Sequence, residues 1–140
     1  MIALHCIGYF GPVTLLMLIV VLLRRSVSLT LYKEILLWEI GNILLNRTLK
    51  NLIRQDRPPT QVNILTFDLI DAREFGMPSG HCQQIGAAIY IIFSLTKSKG
   101  ILTLAIIQSI ATTIQRILTR KHTLNQVAVG LTIGICYSYM

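Results

Sequence analysis

The feature that most restricts the fold is a series of apolar segments, each of helical length, separated by short charged stretches. Residues 1–23 contain no Lys, Arg, Asp or Glu and are followed by Arg24 and Arg25. Across the 140 residues, 53% are hydrophobic and 14% are charged, whereas a soluble domain carries about 25% charged residues. We therefore expect an all-α integral membrane helical bundle that forms a single domain over residues 1–140.

Five apolar segments are candidate transmembrane helices. They cover residues 1–23, 31–54, 79–95, 101–116 and 123–140. The first lacks a basic leading region and a small-residue cleavage site, so we expect a retained helix rather than a signal peptide. In this order, the second and fourth segments end, and the third and fifth begin, on one side of the membrane. Unusual polar residues collect at those four ends, which predicts a functional site there.

The second segment carries a polar stripe and ends in basic residues. The stripe consists of residues three or four positions apart, namely Glu39, Asn42, Asn46 and Lys50. They share one helix face, and because such a face is unfavourable against lipid, we expect it to point into the bundle. Arg54 and Arg57 follow, and Pro58 disfavours helix at Arg57 and turns the chain away.

The third segment begins with the sequence PSGH, residues 78–81. Pro78 suits a helix start and Ser79 suits an N-cap. Unpaired N–H groups around Ser79, Gly80 and His81 would then face outward at the positive end of the helix dipole, where phosphate binds well. Gly80 would let a ligand approach the backbone. A simple capped helix with an interfacial histidine explains this motif alone equally well.

The loop between the fourth and fifth segments supplies a further polar cluster. Arg116 ends one helix, His122 begins the next, and Gln126 lies one turn beyond His122 on the same face. A basic loop by itself usually reflects membrane topology. Two histidines and several cations on one side of a bundle instead indicate an anion site, with phosphate rather than nucleic acid as the partner, although the net charge is +7.

Together the three clusters resemble the type 2 phosphatidic acid phosphatase (PAP2) superfamily. Its signature of K-x6-RP, PSGH and SR-x5-H-x3-D corresponds here to KNLIRQDRP, PSGH and QRILTRKHTLNQ. Gln115 replaces the Ser and Gln126 replaces the final Asp. The sequences HTLNQVAVG and FGMPSGHCQQ resemble the dolichyl-diphosphatase branch, which carries Gln there, as does the glucose-6-phosphatase branch. The family core has six membrane helices, against the five segments counted here.

The resemblance implies a phosphatase that needs neither metal nor other cofactor. His122 would attack phosphorus and form a phosphohistidine, while His81 would protonate the leaving oxygen and then activate water. Gln126 would orient His122. The phosphate oxygens would be bound by cations, a hydroxyl and backbone N–H groups from Lys50, Arg57, Ser79, Gly80 and Arg116. The acidic residues of the connecting loop, Asp56, Asp68, Asp71 and Glu74, are interpreted as solvated charges rather than metal ligands.

The implied substrate is a phosphomonoester or diphosphate of a membrane lipid, with a polyprenyl (dolichyl-type) diphosphate as the favoured example. Two other classes are considered. A catalytically inactive PAP2-like scaffold or interaction protein is supported by the missing Asp and the missing helix. A vanadate-dependent peroxidase shares this type of pocket but fits the membrane character poorly. A homo-oligomer is compatible with the sequence.

The cations without a catalytic explanation predict the orientation in the membrane. They are Arg24, Arg25, Lys33, Lys97 and Lys99, all on the side opposite the predicted site. The positive-inside rule places that side in the cytoplasm. The active site would then face the lumen or exterior, in the endoplasmic reticulum or an equivalent membrane.

The connection over residues 55–77 is long for a small bundle. Its apolar residues are Ile64, Leu65, Phe67, Leu69 and Ile70. They suit either a lid that dips into the membrane interface and guides lipid headgroups, or a surface loop packed on the bundle.

Overall fold

The computed structural model describes residues 2–24, 29–64 and 75–140, and the regular structure in these ranges is α-helical. The helices are α1 (Ile2–Tyr9), α2 (Gly11–Leu23), α3 (Leu29–Ile53), α4 (Gly80–Leu95), α5 (Lys99–Leu118) and α6 (Leu124–Tyr139). The all-α prediction is confirmed. Helices α3 to α6 begin and end within two residues of the predicted segments. Arg25 and the apolar residues 65, 67, 69 and 70 of the predicted lid lie outside the described residues, as do the acidic residues 68, 71 and 74.

The prediction of one continuous helix over residues 1–23 is wrong. Helices α1 and α2 meet at an angle of 51° around Phe10. Pro12, in the first turn of α2, has no backbone N–H, and its ring clashes with the carbonyl four residues earlier in a continuous helix. The Gly11-Pro12 pair was therefore the sequence signal for this break.

Helix length and composition support the five predicted transmembrane helices only in part. In the described part of the chain, α5 is long and apolar enough to cross a membrane, and α1 with α2 qualify if the bent pair is one span. Helices α4 and α6 have 16 residues each, or about 24 Å at 1.5 Å per residue. A bilayer core is roughly 30 Å thick. Helix α3 is longer but carries five charged residues, namely Lys33, Glu34, Glu39, Arg47 and Lys50.

Helix α4 is the centre of the bundle and contacts α2, α3, α5 and α6. Its closest neighbour is α6, where Gly130 packs against the Ser79 carbonyl and Gly134 against the backbone of Gln83. A Cβ atom at either glycine would collide with that backbone, so both glycines allow the close approach. This packing brings the PSGH sequence against the first turn of α6.

Apolar and polar side chains occupy different parts of the interior. The apolar core joins α2, α4 and α5 through Leu15, Ile19, Leu23, Ile85, Ala88, Ile92 and Ala105. Buried polar side chains concentrate where α3 and α5 end and where α4 and α6 begin: Asn46, Lys50, Ser79, Arg116, Lys121, His122 and Gln126. The structure thus brings together the four helix ends that the sequence order placed on one side.

Candidate active site

His122 lies at the centre of the polar cluster, in the turn before α6. Its side chain is buried, and its Nε2 atom is 3.2 Å from Nη1 of Arg57. The same Arg57 nitrogen donates to the carbonyl of Lys121 at 3.2 Å. Residues 57 and 122 come from different parts of the chain, so this contact joins the first and third sequence clusters directly.

Gln126 holds the other side of the imidazole. Its Oε1 atom is 3.3 Å from Nδ1 of His122 and accepts from the Thr123 N–H at 3.2 Å. Its Nε2 atom donates to the Asp56 carbonyl at 2.9 Å and to Oε1 of Gln55 at 3.1 Å. The predicted placement of Gln126 beside His122 is therefore found in the structure.

These contacts determine the tautomer of His122. A backbone N–H can only donate and a backbone carbonyl can only accept, so Thr123 and Asp56 fix which end of the Gln126 amide faces the imidazole. The amide oxygen faces Nδ1, which must therefore carry the proton. Arg57 is a donor in every protonation state, so Nε2 of His122 accepts. The lone pair of Nε2 consequently lies on the side of the cations.

The surroundings also keep His122 uncharged. Burial, and then the positive charges of Arg57, Arg116 and Lys50, lower the pKa of His122 from 6.5 to about 2, although the bond to Gln126 raises it. A neutral imidazole is nucleophilic, whereas imidazolium is not. Because the folded-state pKa lies below the ordinary value, protonation opposes folding. The contribution of the neutral His122 to the free energy of unfolding should be fully present above pH 6.5 and should decrease as the pH falls below that value.

Nitrogen NMR tests this protonation state directly. In protein labelled with ¹⁵N at the histidine rings, the His122 signals should show the neutral Nδ1–H tautomer at pH 5, where an ordinary histidine is mostly protonated. The signals are assigned by their loss in His122→Gln. A cationic His122 at pH 5 would contradict the geometry described above.

Two further cations border the imidazole. Lys50, at the end of α3, is buried, and its Nζ atom donates to the Phe75 carbonyl at 2.7 Å. Arg116, at the end of α5, is fully buried, and its guanidinium carbon is 5.8 Å from the centre of the Tyr9 ring. Placing two buried cations and the half-buried Arg57 beside a neutral histidine is unfavourable unless an anion joins them. The cluster is therefore suited to phosphate.

The PSGH turn differs in part from its prediction. Helix α4 begins at Gly80 with Ser79 as the N-cap residue, so Pro78 precedes the helix rather than starting it. The Ser79 hydroxyl makes no capping bond and is buried with no hydrogen-bond partner among the described residues. The Ser79 N–H, predicted to be open for a ligand, donates to the Gln126 carbonyl at 3.1 Å. The hydroxyl rather than the N–H of Ser79 is therefore available to an anion.

Gly80 and His81 point to different neighbours. A Cβ atom on Gly80 would lie 3.2 Å from Oδ1 of Asn46, so close packing on α3 is one reason for glycine at this position. The half-buried His81 ring packs against Tyr9, with ring centres 5.2 Å apart. Sequence reasoning missed Tyr9, because nothing local relates α1 to the PSGH sequence.

A chain of buried amides supports the PSGH turn from behind. Gln83, fully buried on α4, donates from Nε2 to Oδ1 of Asn42 at 2.7 Å and to the Asn42 carbonyl at 3.0 Å. Its Oε1 accepts from Nδ2 of Asn46 at 2.8 Å, and this Nδ2 also donates to the Pro78 carbonyl at 3.4 Å. Two residues of the predicted α3 stripe, Asn42 and Asn46, thus contact Gln83, which sequence reasoning did not single out.

Gln83→Leu should destabilise the protein. It removes the Gln83 donor from Asn42 Oδ1 and leaves Asn46 Nδ2 with only the Pro78 carbonyl, and a buried polar group left unpaired costs about 1–3 kcal/mol. Reversible denaturation in mixed micelles measures this loss. Ser94→Ala, on the exposed side of the same helix, is the control and should change stability little. Equal stability of the two variants would show that the amide chain is unimportant.

Several other predicted residues lie apart from His122. Arg54 is exposed in a left-handed conformation at the end of α3, and its side chain bonds back to the Asn51 carbonyl at 2.9 Å. Gln115, which replaces the Ser of the motif, is buried, and its Nε2 atom lies 2.9 Å from Nδ1 of His5 on α1. Among the described residues no three His, Cys, Asp or Glu side chains come together in a way that could hold a metal ion.

A helical bundle that presents a neutral buried histidine to a cluster of cations defines a class of phosphate-ester hydrolase. Residues 31–140 match the PAP2 superfamily, and the chain belongs to that superfamily. The protein is thus a phosphatase, a hydrolase of phosphoric esters, and family membership implies a phosphorylated lipid as substrate.

A solved structure has the same fold. The crystal structure of a transmembrane PAP2-type phosphatidylglycerolphosphate phosphatase from Bacillus subtilis superposes with a TM-score of 0.76 at 21% identity, covering 98% of this chain and 72% of that one. The fold is therefore that of a transmembrane PAP2 protein. A search of curated proteins found no match.

Proposed function

We propose that the protein is a membrane phosphatase that hydrolyses a lipid-borne phosphomonoester or diphosphate, with a polyprenyl diphosphate as the favoured substrate. The observation that carries the proposal is the position of His122. Its Nδ1 lies 3.3 Å from Gln126 Oε1, and its Nε2 lies 3.2 Å from Arg57. A phosphate that accepts from Arg57 in place of Nε2 would free the Nε2 lone pair and lie directly beside it.

The reaction proceeds in two displacements. Nε2 of His122 attacks phosphorus, a P–N bond forms, and the bond from phosphorus to the leaving oxygen breaks while His81 donates its proton to that oxygen. A water molecule then attacks phosphorus and gives a proton to His81. The P–N bond breaks, and its electron pair returns to Nε2 as inorganic phosphate forms.

The remaining residues stabilise charge on the transferred phosphoryl group. Lys50, Arg57 and Arg116 supply positive charge, and the Ser79 hydroxyl and the N–H of Gly80 supply hydrogen bonds to the equatorial oxygens. Preorganised donors of this type act strongly in a buried site, because no solvent has to reorient when charge develops. Gln126 positions the nucleophile.

The preference for a polyprenyl diphosphate is supported by sequence resemblance. HTLNQVAVG and FGMPSGHCQQ resemble the dolichyl-diphosphatase branch, including Gln at position 126. The product from such a substrate would be the polyprenyl monophosphate. The inactive-scaffold alternative loses its strongest argument, since Gln126 contacts His122 as an orienting residue would.

Phosphate release tests the proposal. Purified protein in detergent with EDTA is given dolichyl diphosphate, phosphatidate or glucose 6-phosphate at matched concentrations. We expect turnover of the lipids, fastest for the diphosphate. Faster turnover of glucose 6-phosphate than of either lipid would reject a lipid phosphatase. No turnover of any substrate would favour the scaffold alternative.

The same proposal includes an active site that faces the lumen or exterior. Thr60 accepts a hydrogen bond from Arg120, just after the end of α5, whereas Lys97 precedes the start of α5. The 20 residues of α5 separate these positions by about 30 Å. In a cysteine-free background, Thr60→Cys should react with an impermeant thiol reagent from outside, and Lys97→Cys should react from the cytoplasm. The reverse pattern would overturn this orientation.

A further inference from the structure

The orientation of the Gln126 amide decides which nitrogen of His122 carries the proton. A carboxamide can make a half-turn that exchanges its oxygen and nitrogen with little change of shape. With its nitrogen toward Nδ1, the amide would donate, and the proton of the imidazole would have to lie on Nε2. The lone pair of His122 would then face Gln126 instead of the cations. Contacts that prevent this half-turn therefore prepare the nucleophile.

Two residues just beyond the end of α3 accept from the nitrogen end of this amide. Nε2 of Gln126 donates to Oε1 of Gln55 at 3.1 Å and to the Asp56 carbonyl at 2.9 Å. A half-turn would place the amide oxygen against both acceptors, which is unfavourable. Asp56 contributes its backbone, whereas Gln55 contributes a side chain. Gln55 is therefore the acceptor that a substitution can remove.

Gly76 lies against the same amide from the segment before PSGH. A Cβ atom at Gly76 would lie 2.6 Å from Nε2, 2.7 Å from Oε1 and 2.8 Å from Cδ of Gln126, well inside van der Waals contact. The Gly76 N–H also donates to the Gln55 carbonyl at 2.7 Å. Gln55 and Gly76 are thus joined to each other, and one binds the amide while the other leaves the space that it occupies.

We propose that Gln55 and Gly76 are positioning residues that hold the Gln126 amide so that His122 keeps its Nδ1–H tautomer. The catalytic value of this tautomer rests on the proposed function. Neither residue is one of the positions that define the PAP2 signature. An aspartate at position 126 would present oxygens alone and no N–H group, so the need for a second amide at position 55 follows from glutamine at 126.

Substitutions can test the two contacts separately. Gly76 does not have a left-handed backbone, and a new Cβ would meet the end of a side chain, so Gly76→Ala should displace the Gln126 amide rather than the backbone. Gln55→Met removes the acceptor from an exposed side chain, and Gln55→Glu restores one. Gly100→Ala is the matched control, because a Cβ atom there would lie 3.9 Å from the Ser98 hydroxyl oxygen, an ordinary contact distance.

The first measurement is the tautomer of His122, read from its ring ¹⁵N signals at pH 7, and it requires no turnover. Wild type, Gln55→Glu and Gly100→Ala should show the Nδ1–H form. Gly76→Ala should show a mixture with the Nε2–H form, and Gln55→Met should show a smaller shift in the same direction.

The second measurement is kcat with the substrate identified in the release assay. It should fall about fivefold in Gln55→Met, the effect of one hydrogen bond, and about tenfold or more in Gly76→Ala, where the positioning group is displaced. Gln55→Glu should recover kcat, whereas its added charge can weaken KM for an anionic substrate. In a Gln126→Asp background, Gln55→Met and Gly76→Ala should each change kcat less than about twofold, because no amide nitrogen remains to be held.

The tautomer separates this inference from the proposed function. An unchanged His122 signal in Gln55→Met or in Gly76→Ala overturns the role of that residue, even if wild type hydrolyses lipid phosphates. The expected shifts in a protein that releases no phosphate support the positioning role and reject the catalytic function. An equal loss of kcat in Gln55→Glu and Gln55→Met contradicts the role of the acceptor. Because Gln55 is exposed, its two variants decide the question even if Gly76→Ala fails to fold.

Discussion

Replacing His122 with alanine should abolish phosphate release and remove any covalent phosphoenzyme. In the proposed mechanism the Nε2 atom of His122 is the nucleophile, and Nδ1 cannot replace it because Nδ1 faces Gln126. Rapid acid-free quenching with a ³²P-labelled substrate, followed by gel analysis, measures the trapped phosphohistidine. We expect a signal in wild type and none in His122→Ala.

The His81→Ala variant provides the contrast. In the proposed mechanism His81 donates a proton to the leaving oxygen and then accepts one from water, so some phosphorylation should survive its loss when the leaving group is good. The second step lacks its base, and the phosphoenzyme should persist. If His81→Ala lacks the intermediate while His122→Ala retains it, the two histidines have been assigned the wrong way round.

Contacts that depend on local residue spacing were the ones predicted best from the sequence. His122 and Gln126 are four residues apart at the start of α6, and a helix places such residues on one face. The stripe of Glu39, Asn42, Asn46 and Lys50 followed from the same periodicity. The last three side chains are buried and Glu39 is half-buried. The resemblance to a known family placed Arg57 and His122 in one site, although no local pattern relates them, and the structure shows the contact between them.

Contacts between helices were harder to predict, because they depend on packing angles and on which glycines allow close approach. Gln83 completes the amide chain through partners about 40 positions away, and only the packing of α3 on α4 reveals it. Tyr9 reaches His81 because α1 turns at the Pro12 break. The Ser79 N–H was misassigned because its acceptor is the carbonyl of Gln126 on a neighbouring helix.

Replacing Gln126 with leucine should reduce kcat/KM by about 10²-fold or more, the loss expected when a reacting group is no longer positioned. Leucine cannot accept from Nδ1 of His122, so the imidazole loses the bond that fixes both its tautomer and its direction. It also leaves the Asp56 carbonyl and the Thr123 N–H without their Gln126 partner. Steady-state kinetics with the substrate identified in the release assay measure the effect.

The variant Gln126→Asp distinguishes orientation from charge. Aspartate can accept from Nδ1, and a charge-assisted bond is about twice as strong as a neutral one, but its side chain is shorter and cannot donate to Asp56 and Gln55. It should therefore keep substantial activity, well above that of Gln126→Leu. Full activity of Gln126→Leu would remove the orienting role. If the wild type releases no phosphate and Gln126→Asp does, the inactive-scaffold alternative is established. The neutral amide of Gln126 would then be what prevents catalysis.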